Sequence, residues 1–303
     1  MIEICMIADS NYVIPTLTAI KSLTLNVPKN IDICINILSN NLSEYKKNEL
    51  KKLETRNIKI DIKEISDLIP DIDSTHKYVT KTSLGKFIIP DIYKDKNKIL
   101  YIDGDVLVLN NIKELYNMDV RNVYAAAVED MIAVKTGLAE KVNLKRYFNS
   151  GVMLLNLKKM RDDNITQKLI EYKSKECESD FMDQNAFNTV FEDNIKFLSP
   201  TFNLLTTIKA KYNNSDIANF YNISVNELDA IYKSPVILHM AGGVKPWNNI
   251  LCDNFATNLP YLCKLPKSKL RNNAVYNLFK QNPKRFIKYY ILKVLNIGGI
   301  IGK

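Results

Sequence analysis

Short apolar runs rich in β-branched residues recur along the chain, and they restrict its possible folds more than any other feature. Helical patterns at residues 13–25 and 43–55 lie between the early runs. Alternation of strand with helix is typical of right-handed βαβ units. We therefore predict an α/β protein with a mixed, mostly parallel central sheet flanked by helices. The predicted strands are residues 2–8, 31–38, 58–65, 98–102, 123–128, 151–156 and 236–239.

Two of these strands have patterns that predict their place in the sheet. Residues 31–37 alternate strictly between apolar and polar side chains, which is typical of an edge or half-exposed strand. Residues 98–102 are apolar on both faces, which predicts a central strand.

The net charge of +9 is unevenly distributed along the chain. Ten basic residues and no acidic residue lie from Lys264 to Lys303, whereas the preceding part holds 32 basic and 33 acidic side chains. The body is therefore nearly neutral and the tail is basic. We predict a globular domain over residues 1–255 and a basic, aromatic-rich helical region over residues 256–303.

Cysteine usage and hydropathy indicate a cytoplasmic protein. The cysteines are scattered and form no C-x-x-C pair, so neither a disulfide framework nor a cysteine zinc site is expected. The first residues lack a secretory signal pattern. The apolar stretch at residues 289–302 is interrupted by Lys293 and is shorter than the roughly 18 residues that cross a bilayer. The five cysteines are Cys5, Cys34, Cys177, Cys252 and Cys263.

The basic tail contains the signals of a helix. Asn282 suits the N-cap, Pro283 suits the first helical position, and Gly298 follows the last predicted turn. One interpretation is a helix docked on the body with a solvated lysine face. A second is a peripheral helix on an anionic membrane surface. A third is an RNA contact, in which aromatic side chains stack on bases.

A pair of carboxylates follows the predicted central strand. Asp103 and Asp105 leave the strand together, where a parallel sheet binds its ligands. Carboxylate oxygens at this place suit Mg²⁺ or Mn²⁺ that also bridges a diphosphate. A second D-x-D copy, Asp71 and Asp73, has no preceding strand, and we interpret it as a pair of turn acids.

The two histidines have different surroundings. His76 lies in a polar segment that is typical of a surface histidine, whereas His239 ends an apolar run. A histidine after a strand is often only structural. Here Gly242 and Lys245 follow, and they supply close-approaching backbone amides and a positive charge. His239 can therefore complete a metal site beside a phosphate.

Two further clusters place amides and acids where apolar core residues are expected. Asn149 precedes the strand at residues 151–156, and Asp183 and Gln184 precede a helical run at residues 186–191. Asp183 can serve as a helix N-cap. The functional alternative is a set of hydrogen-bonding groups for the hydroxyls of a sugar.

In combination these residues resemble family 8 of the glycosyltransferases, retaining enzymes of the GT-A (Rossmann-like) fold, and among them the bacterial lipopolysaccharide galactosyltransferases. The resemblance runs from about residue 2 to residue 247, and its five motifs occur in the family's order. They are Ala8-Asp9-Ser-Asn11-Tyr12, Asp103-Gly104-Asp105, Asn149-Ser-Gly151, Asp183-Gln184 and His239-x-x-Gly242-x-x-Lys245-Pro-Trp247.

The resemblance implies a role for each motif. The first motif, Ala8 to Tyr12, would bind the uridine. The D-x-D pair and His239 would bind Mn²⁺, with Mg²⁺ as the alternative ion, together with the diphosphate. The predicted metal ligands are Asp103, Asp105 and His239; the other predicted donor-binding residues are Ala8, Asp9, Asn11, Tyr12, Lys86, Gly104, Asn149, Gly242 and Lys245; the predicted catalytic residues are Asp183, Gln184 and Lys245.

One position departs from the family pattern. Lys86 stands where many relatives have an arginine, so the charge is kept but the bidentate geometry is lost. The identity of the donor sugar is therefore left open among galactose, glucose and an N-acetylhexosamine, with UDP-galactose or UDP-glucose as the expected donor.

The resemblance implies transfer of a hexose, with retention, to a hydroxyl of a glycan or glycolipid. The acceptor and the basic tail together favour a location at the inner membrane face. The alternatives are a nucleotide-sugar-binding protein without transferase activity, and a basic RNA-associated module. The function that we favour involves no nucleic acid.

Overall fold

The computed structural model describes residues 1–70, 81–175 and 183–295. Ten strands form within these ranges. They are β1 (Ile2–Asp9), β2 (Ile33–Asn40), β3 (Ile58–Glu64), β4 (Lys98–Ile102), β5 (Val106–Val108), β6 (Ala125–Glu129), β7 (Phe148–Asn156), β8 (Ile195–Leu198), β9 (Leu204–Leu205) and β10 (Ile237–His239). The second D-x-D copy, Asp71 and Asp73, and the segment around His76 lie outside the described residues.

Seven strands form the central sheet, in the order β3-β2-β1-β4-β7-β6-β8. Strands β1 to β4 are mutually parallel where they pair, β6 pairs in parallel with β8, and β7 runs antiparallel to both β4 and β6. The predicted mixed, mostly parallel sheet is confirmed. Because β7 is reversed, its first residues lie at the same edge as the carboxyl ends of β1 and β4.

A second, three-stranded sheet in the order β5-β10-β9 lies beyond that edge. His239 pairs with Val106 in the antiparallel register of β10 and β5, and the Met240 amide donates to the Asp105 carbonyl at 3.0 Å. This small sheet therefore brings the end of β10 to the segment that follows β4.

Fourteen α-helices lie between and after these strands in the described ranges. They are α1 (Val13–Asn26), α2 (Glu44–Lys51), α3 (Ile89–Ile92), α4 (Lys113–Tyr116), α5 (Met131–Lys135), α6 (Leu138–Lys141), α7 (Leu157–Asp162), α8 (Ile165–Lys175), α9 (Gln184–Phe191), α10 (Asn214–Tyr221), α11 (Val225–Lys233), α12 (Phe255–Cys263), α13 (Lys269–Gln281) and α14 (Pro283–Tyr289). A 3₁₀-helix spans Lys81–Lys86, and a π-helical turn, Tyr290–Val294, follows α14.

The helices cover both faces of the central sheet. On one face Leu17 and Ile20 of α1 pack with strand residues such as Ile4 and Leu100. On the other face α7, α8 and α9 supply Leu157, Leu169, Phe187 and Phe191 against the strands. Burial of these apolar side chains from water is the main force that holds the layers together.

The sequence predicted the position of β4 correctly and that of β2 incorrectly. Strand β4 lies at the centre of the seven strands, as its apolar faces indicate. Strand β2 is not an edge strand, because it pairs with β1 on one side and β3 on the other. One polar position in its alternation, Asn36, is buried and donates to the Glu3 carboxylate and the Ile4 carbonyl. Strands β5, β8 and β9 were not predicted from the sequence.

The C-terminal region packs on the body over its described part. Phe255 and Leu259 of α12, together with Leu278 and Phe286 further along, belong to the same buried cluster as α1. Helix α14 begins at Pro283, and the Asn282 side chain caps it by accepting from the Arg285 amide. The domain boundary at residue 255 stays a prediction. No helix in the described ranges is both long enough and apolar enough to cross a bilayer.

Candidate active site

The polar residues singled out by the sequence converge at the carboxyl edge of the central sheet. Asp9 ends β1, and Asp103 follows β4 directly. Asn149 lies near the start of the reversed strand β7, and His239 arrives on β10. The edge of a parallel sheet collects strand ends in this way, which is why ligands bind there in open α/β folds.

Asp103, Asp105 and His239, here called the Asp-Asp-His cluster, lie in mutual contact range. One ligand atom from each residue lies within 4.8 Å of the other two. The His239 Nε2 atom lies 3.2 Å from Asp105 Oδ1. Two carboxylates and one imidazole form a donor set that suits Mn²⁺ or another first-row divalent cation.

Gly151 leaves the space that this cluster needs. A Cβ atom at that position would lie 2.4 Å from His239 Cε1 and 2.8 Å from Asp103 Oδ2, which is too close for real atoms. The Asp103 amide also donates to the Gly151 carbonyl at 2.8 Å. The residues present therefore fit a divalent cation in both chemistry and space.

Lys86 lies beneath the cluster and links two acids. Its Nζ atom lies 3.1 Å from Asp103 Oδ1 and 2.7 Å from Asp183 Oδ2, and its side chain is only 5% exposed. Burial by itself lowers the pKa of Lys86, but the charges of Asp103 and Asp183 outweigh it and raise the pKa above its ordinary value. Lys86 therefore stays charged. The Tyr101 hydroxyl also donates to Asp103 Oδ1, at 2.6 Å.

Lys245 holds the second carboxylate. Its Nζ atom lies 2.7 Å from Asp105 Oδ2 and donates to the Met240 carbonyl at 2.8 Å. Burial alone raises the pKa of Asp105, but His239 and Lys245 outweigh it and hold that pKa well below its usual range. Gly242, in the same loop, has a φ of 99°, a conformation that favours glycine.

A cavity of about 220 Å³ opens beside the cluster. Within it, Asp9 Oδ1 accepts from the Asn11 and Tyr12 amides at 2.8 and 3.1 Å, and Asp9 Oδ2 accepts from the Thr82 hydroxyl at 3.2 Å. The cavity is lined by Ile7, Asp9, Tyr12, Thr82, Ser83, Lys86, Tyr101, Asp103, Gly104, Asp105 and Asp183.

Two residues of the first motif lie outside this cavity lining. Ala8 is fully buried on the α1 side of the sheet. Asn11 lines a neighbouring cavity of about 620 Å³ together with Trp247. Tyr12 connects the two places, because its ring meets the Trp247 ring edge-on at 6.1 Å between centroids.

The predicted sugar-binding residues form a second polar network. Asp183 stands at the N-cap position of α9 but makes no capping bond; its Oδ2 accepts instead from Lys86 and from the Ser150 hydroxyl, at 2.8 Å. Gln184 Oε1 accepts from Asn149 Nδ2 and from the Ser150 amide, both at 3.1 Å. Asp183 therefore does not cap α9 through its side chain, and instead contacts Lys86 and Ser150 across the site.

Several residues of this network were missed by sequence reasoning. Asp130 accepts from Asn149 Nδ2 at 3.2 Å and from Gln184 Nε2 at 3.3 Å, and it lines a further cavity of about 450 Å³ with Gly242. It directly follows β6, so an acid at a strand end was a usable signal. Asn203 contacts His239, and no local pattern points to it.

The fold and this site define a glycosyltransferase of the GT-A class. The galactosyltransferase LgtC, solved with donor and acceptor sugar analogues, superposes with a TM-score of 0.74 at 22% identity, covering 90% of this chain and 100% of that chain. The sequence model of glycosyl transferase family 8 matches residues 3–251, and the chain belongs to that family. The prediction that it is a hexosyltransferase is thereby confirmed.

Two curated relatives are similar to this chain over most of their own length. The chain is 27% identical to general stress protein A of Bacillus subtilis over 258 residues, covering 82% of this chain and 88% of the relative. It is 25% identical to the lipopolysaccharide 1,2-glucosyltransferase of Escherichia coli over 247 residues, covering 79% and 71%.

Proposed function

We propose that this protein transfers a hexose, from UDP-galactose or UDP-glucose, to a hydroxyl of a glycan or glycolipid with retention of anomeric configuration and with Mn²⁺ as cofactor. The observation that carries the proposal is the Asp-Asp-His cluster, whose ligand atoms lie within 4.8 Å of one another beside the 220 Å³ cavity. The lipopolysaccharide glucosyltransferase and the LgtC galactosyltransferase support the choice of donors.

The cluster would hold the cation through Asp103, Asp105 and His239. A bound divalent cation supplies Lewis-acid stabilisation of the charge that grows on the departing diphosphate. Lys245 adds a fixed positive charge, because its ammonium group is already held against Asp105. Gly242 would present its backbone to the phosphates. Lys245 thus acts on the leaving group, as a catalytic residue.

The nucleotide would lie along the 220 Å³ cavity. Asp9, with its carboxylate fixed by backbone amides, would face the uridine together with Tyr12. Asn11 and the backbone of Ala8 would complete that end. Gly104 lies in the lining where a Cβ atom would approach Thr16 Oγ1 to 2.7 Å, so the chain stays close to the body there.

Asp183, Gln184 and Asn149 would contact the hexose near its anomeric carbon. Asp183 Oδ2 is tied to Lys86 and Ser150, and Gln184 Oε1 accepts two hydrogen bonds. A double displacement would need a well-placed nucleophile, and we assign both groups to binding the sugar through this network. We therefore favour attack by the acceptor on the face from which UDP leaves, with a phosphate oxygen as base, while Asp183 and Gln184 stabilise the positive character of the sugar.

Release of UDP from a panel of nucleotide sugars tests this proposal. We expect release from UDP-galactose or UDP-glucose with Mn²⁺, little release with a chelator, and none from GDP-mannose. An anomeric analysis of the product by NMR tests retention. Equal release with chelator and with Mn²⁺ would contradict the cation's role, and an inverted product would contradict the route.

We also propose that the C-terminal region rests on an anionic membrane surface, which would place a cytoplasmic enzyme near a lipid-linked acceptor. Ile287, Ile291 and Leu295 are 49%, 39% and 51% exposed, and they recur at every fourth residue of α14 and the turn after it. Lys284 and Lys288 lie beside this row. Such a basic amphipathic face is typical of interfacial helices.

A further inference from the structure

Three buried side chains, linked by hydrogen bonds, lead to the buried imidazole of His239. Asn149 Nδ2 donates to Asp130 Oδ2 at 3.2 Å, and Asn203 Nδ2 donates to Asn149 Oδ1 at 2.9 Å. Asn203 Oδ1 then lies 3.0 Å from His239 Nδ1. All four residues are at most 9% exposed, so water competes little for these bonds.

The direction of this chain is fixed by groups that have one hydrogen-bonding role. The Gly151 backbone amide can only donate, and it donates to Asn149 Oδ1 at 3.0 Å. The Asp130 carboxylate accepts through both oxygens, from the Ala133 amide and from Asn149 Nδ2, so it fixes the orientation of the Asn149 amide. Asn149 Oδ1 therefore needs a donor from Asn203, and Asn203 must turn its own oxygen to His239.

A second set of bonds gives the same orientation. Gln184 Oε1 accepts from the Ser150 backbone amide, so Gln184 Nε2 must donate, and it donates to Asp130 Oδ2. Asp130 Oδ1 is occupied by the Ala133 amide at 3.1 Å, which caps α5. Asp130 is thus held in place by its own helix, and its free oxygen orients two amides.

We propose that Asp130, Asn149 and Asn203 form a directional relay that keeps a proton on His239 Nδ1 and turns the Nε2 lone pair toward the cation. Asn203 is then a positioning residue, because it acts through His239. Nε2 faces Asp105 Oδ1 at 3.2 Å, and two acceptors at that distance require a cation or a proton between them. This inference rests on the proposed function, since it concerns the same cation.

The relay predicts how Mn²⁺ affinity responds to changes at Asn203. Asn203→Leu removes the acceptor, and loss of such an outer partner typically weakens metal binding about 10- to 100-fold. Asn203→Asp keeps an oxygen that accepts from Nδ1 but loses the amide that donates to Asn149 Oδ1, so we expect a smaller loss of Mn²⁺ affinity than in Asn203→Leu. Titration calorimetry with Mn²⁺ alone measures both, without any nucleotide sugar.

A matched control separates positioning from folding. Asn156 is a buried amide like Asn203, but it lies at the end of β7 opposite to Asn149, where it donates to the Val120 carbonyl and caps α7. Asn156→Leu should lower stability and leave Mn²⁺ affinity unchanged. If Asn203→Leu binds Mn²⁺ as tightly as the wild type, or Asn203→Asp is as weak as Asn203→Leu, the relay is wrong.

The histidine proton can also be located without any variant at Asn203. The chain has two histidines, so His76→Gln assigns the His239 signals in a ¹⁵N NMR spectrum. In the metal-free protein we expect a proton on Nδ1 whether or not Nε2 also carries one, and a proton on Nε2 alone would overturn the relay. If the wild type binds no Mn²⁺, the proposed function fails, whereas the NMR result still decides the relay.

Discussion

The Asp-Asp-His cluster and the C-terminal region use lysines in opposite ways. Lys86 is buried and Lys245 is partly buried, and each is held against a carboxylate at 2.7 Å. In the C-terminal region Lys284 and Lys288 have no acidic residue of the same segment to pair with, because residues 264–303 contain no Asp or Glu. A lysine count therefore says little about function. What matters is whether acids neutralise the charge inside the protein.

The largest effect should follow from removing a cluster carboxylate. Asp105→Asn is expected to abolish Mn²⁺ binding and lower the transfer rate about 10³-fold, because several kcal/mol of leaving-group stabilisation are lost. UDP release and Mn²⁺ calorimetry measure this. The control is Asp119→Asn, an acid on the surface paired with Arg121, which should change neither quantity. Retained Mn²⁺-dependent transfer in Asp105→Asn would contradict the site.

The next effect concerns the buried lysine rather than its acids. Lys86→Met leaves Asp103 and Asp183 without their cation, and the free energy of unfolding should fall by about 3–5 kcal/mol. Urea denaturation measures the loss. Lys86→Arg keeps the charge and should retain most of the stability. An unchanged urea midpoint in Lys86→Met would show that the two acids do not depend on this pairing.

The stability of the C-terminal region should depend on apolar packing rather than on ion pairs. Phe286 is 6% exposed and contacts the rings of Phe255, Phe279 and Tyr290. Phe286→Ala should reduce the free energy of unfolding by about 3 kcal/mol. The neighbouring, exposed Ile287→Ala should change it by about 0.5 kcal/mol or less. Equal losses in the two variants would mean that α14 does not pack as the structure has it.

Lowering the pH should reduce the stability of the metal-free protein by protonating Asp105. The pKa of Asp105 is lowered in the folded protein, so its contribution to stability is present above the ordinary Asp pKa of about 3.9. That contribution is lost as the pH falls through the lower, folded-state pKa. Metal-free protein should lose stability there, and Asp105→Asn should lose less. Thermal unfolding across acidic buffers measures this, and identical profiles would contradict the assignment.

The smallest effects should come from single lysines of the C-terminal region. Each lysine near anionic headgroups contributes about 1 kcal/mol, so Lys284→Gln and Lys288→Gln should each weaken partition to phosphatidylserine vesicles about fivefold. Lys59→Gln, on strand β3, is the charge-matched control and should have no effect. If the control weakens partition equally, attraction depends on net charge alone and the C-terminal region has no special role.

Site residues could be predicted from the sequence where the residues that position them are close along the chain, and could not where those residues are distant. Asp103 and Asp105 were found because a buried strand and the acids after it are neighbours in sequence. The ion pair between Lys86 and Asp183 was not predicted, because 97 positions of sequence separate the two residues. Asp130 had the signal of an acid at a strand end, whereas Asn203 had none.

By itself the sequence determined the α/β class, the central strand with its two acids, and the order of motifs that places the chain in its family. These features are local, because strand patterns and short motifs depend on neighbouring residues. Only the tertiary structure decided that β10 pairs with β5, so that His239 meets Asp105, and that Asn203 reaches His239. Such contacts form when distant segments bury surface together, and no local pattern records which segments meet.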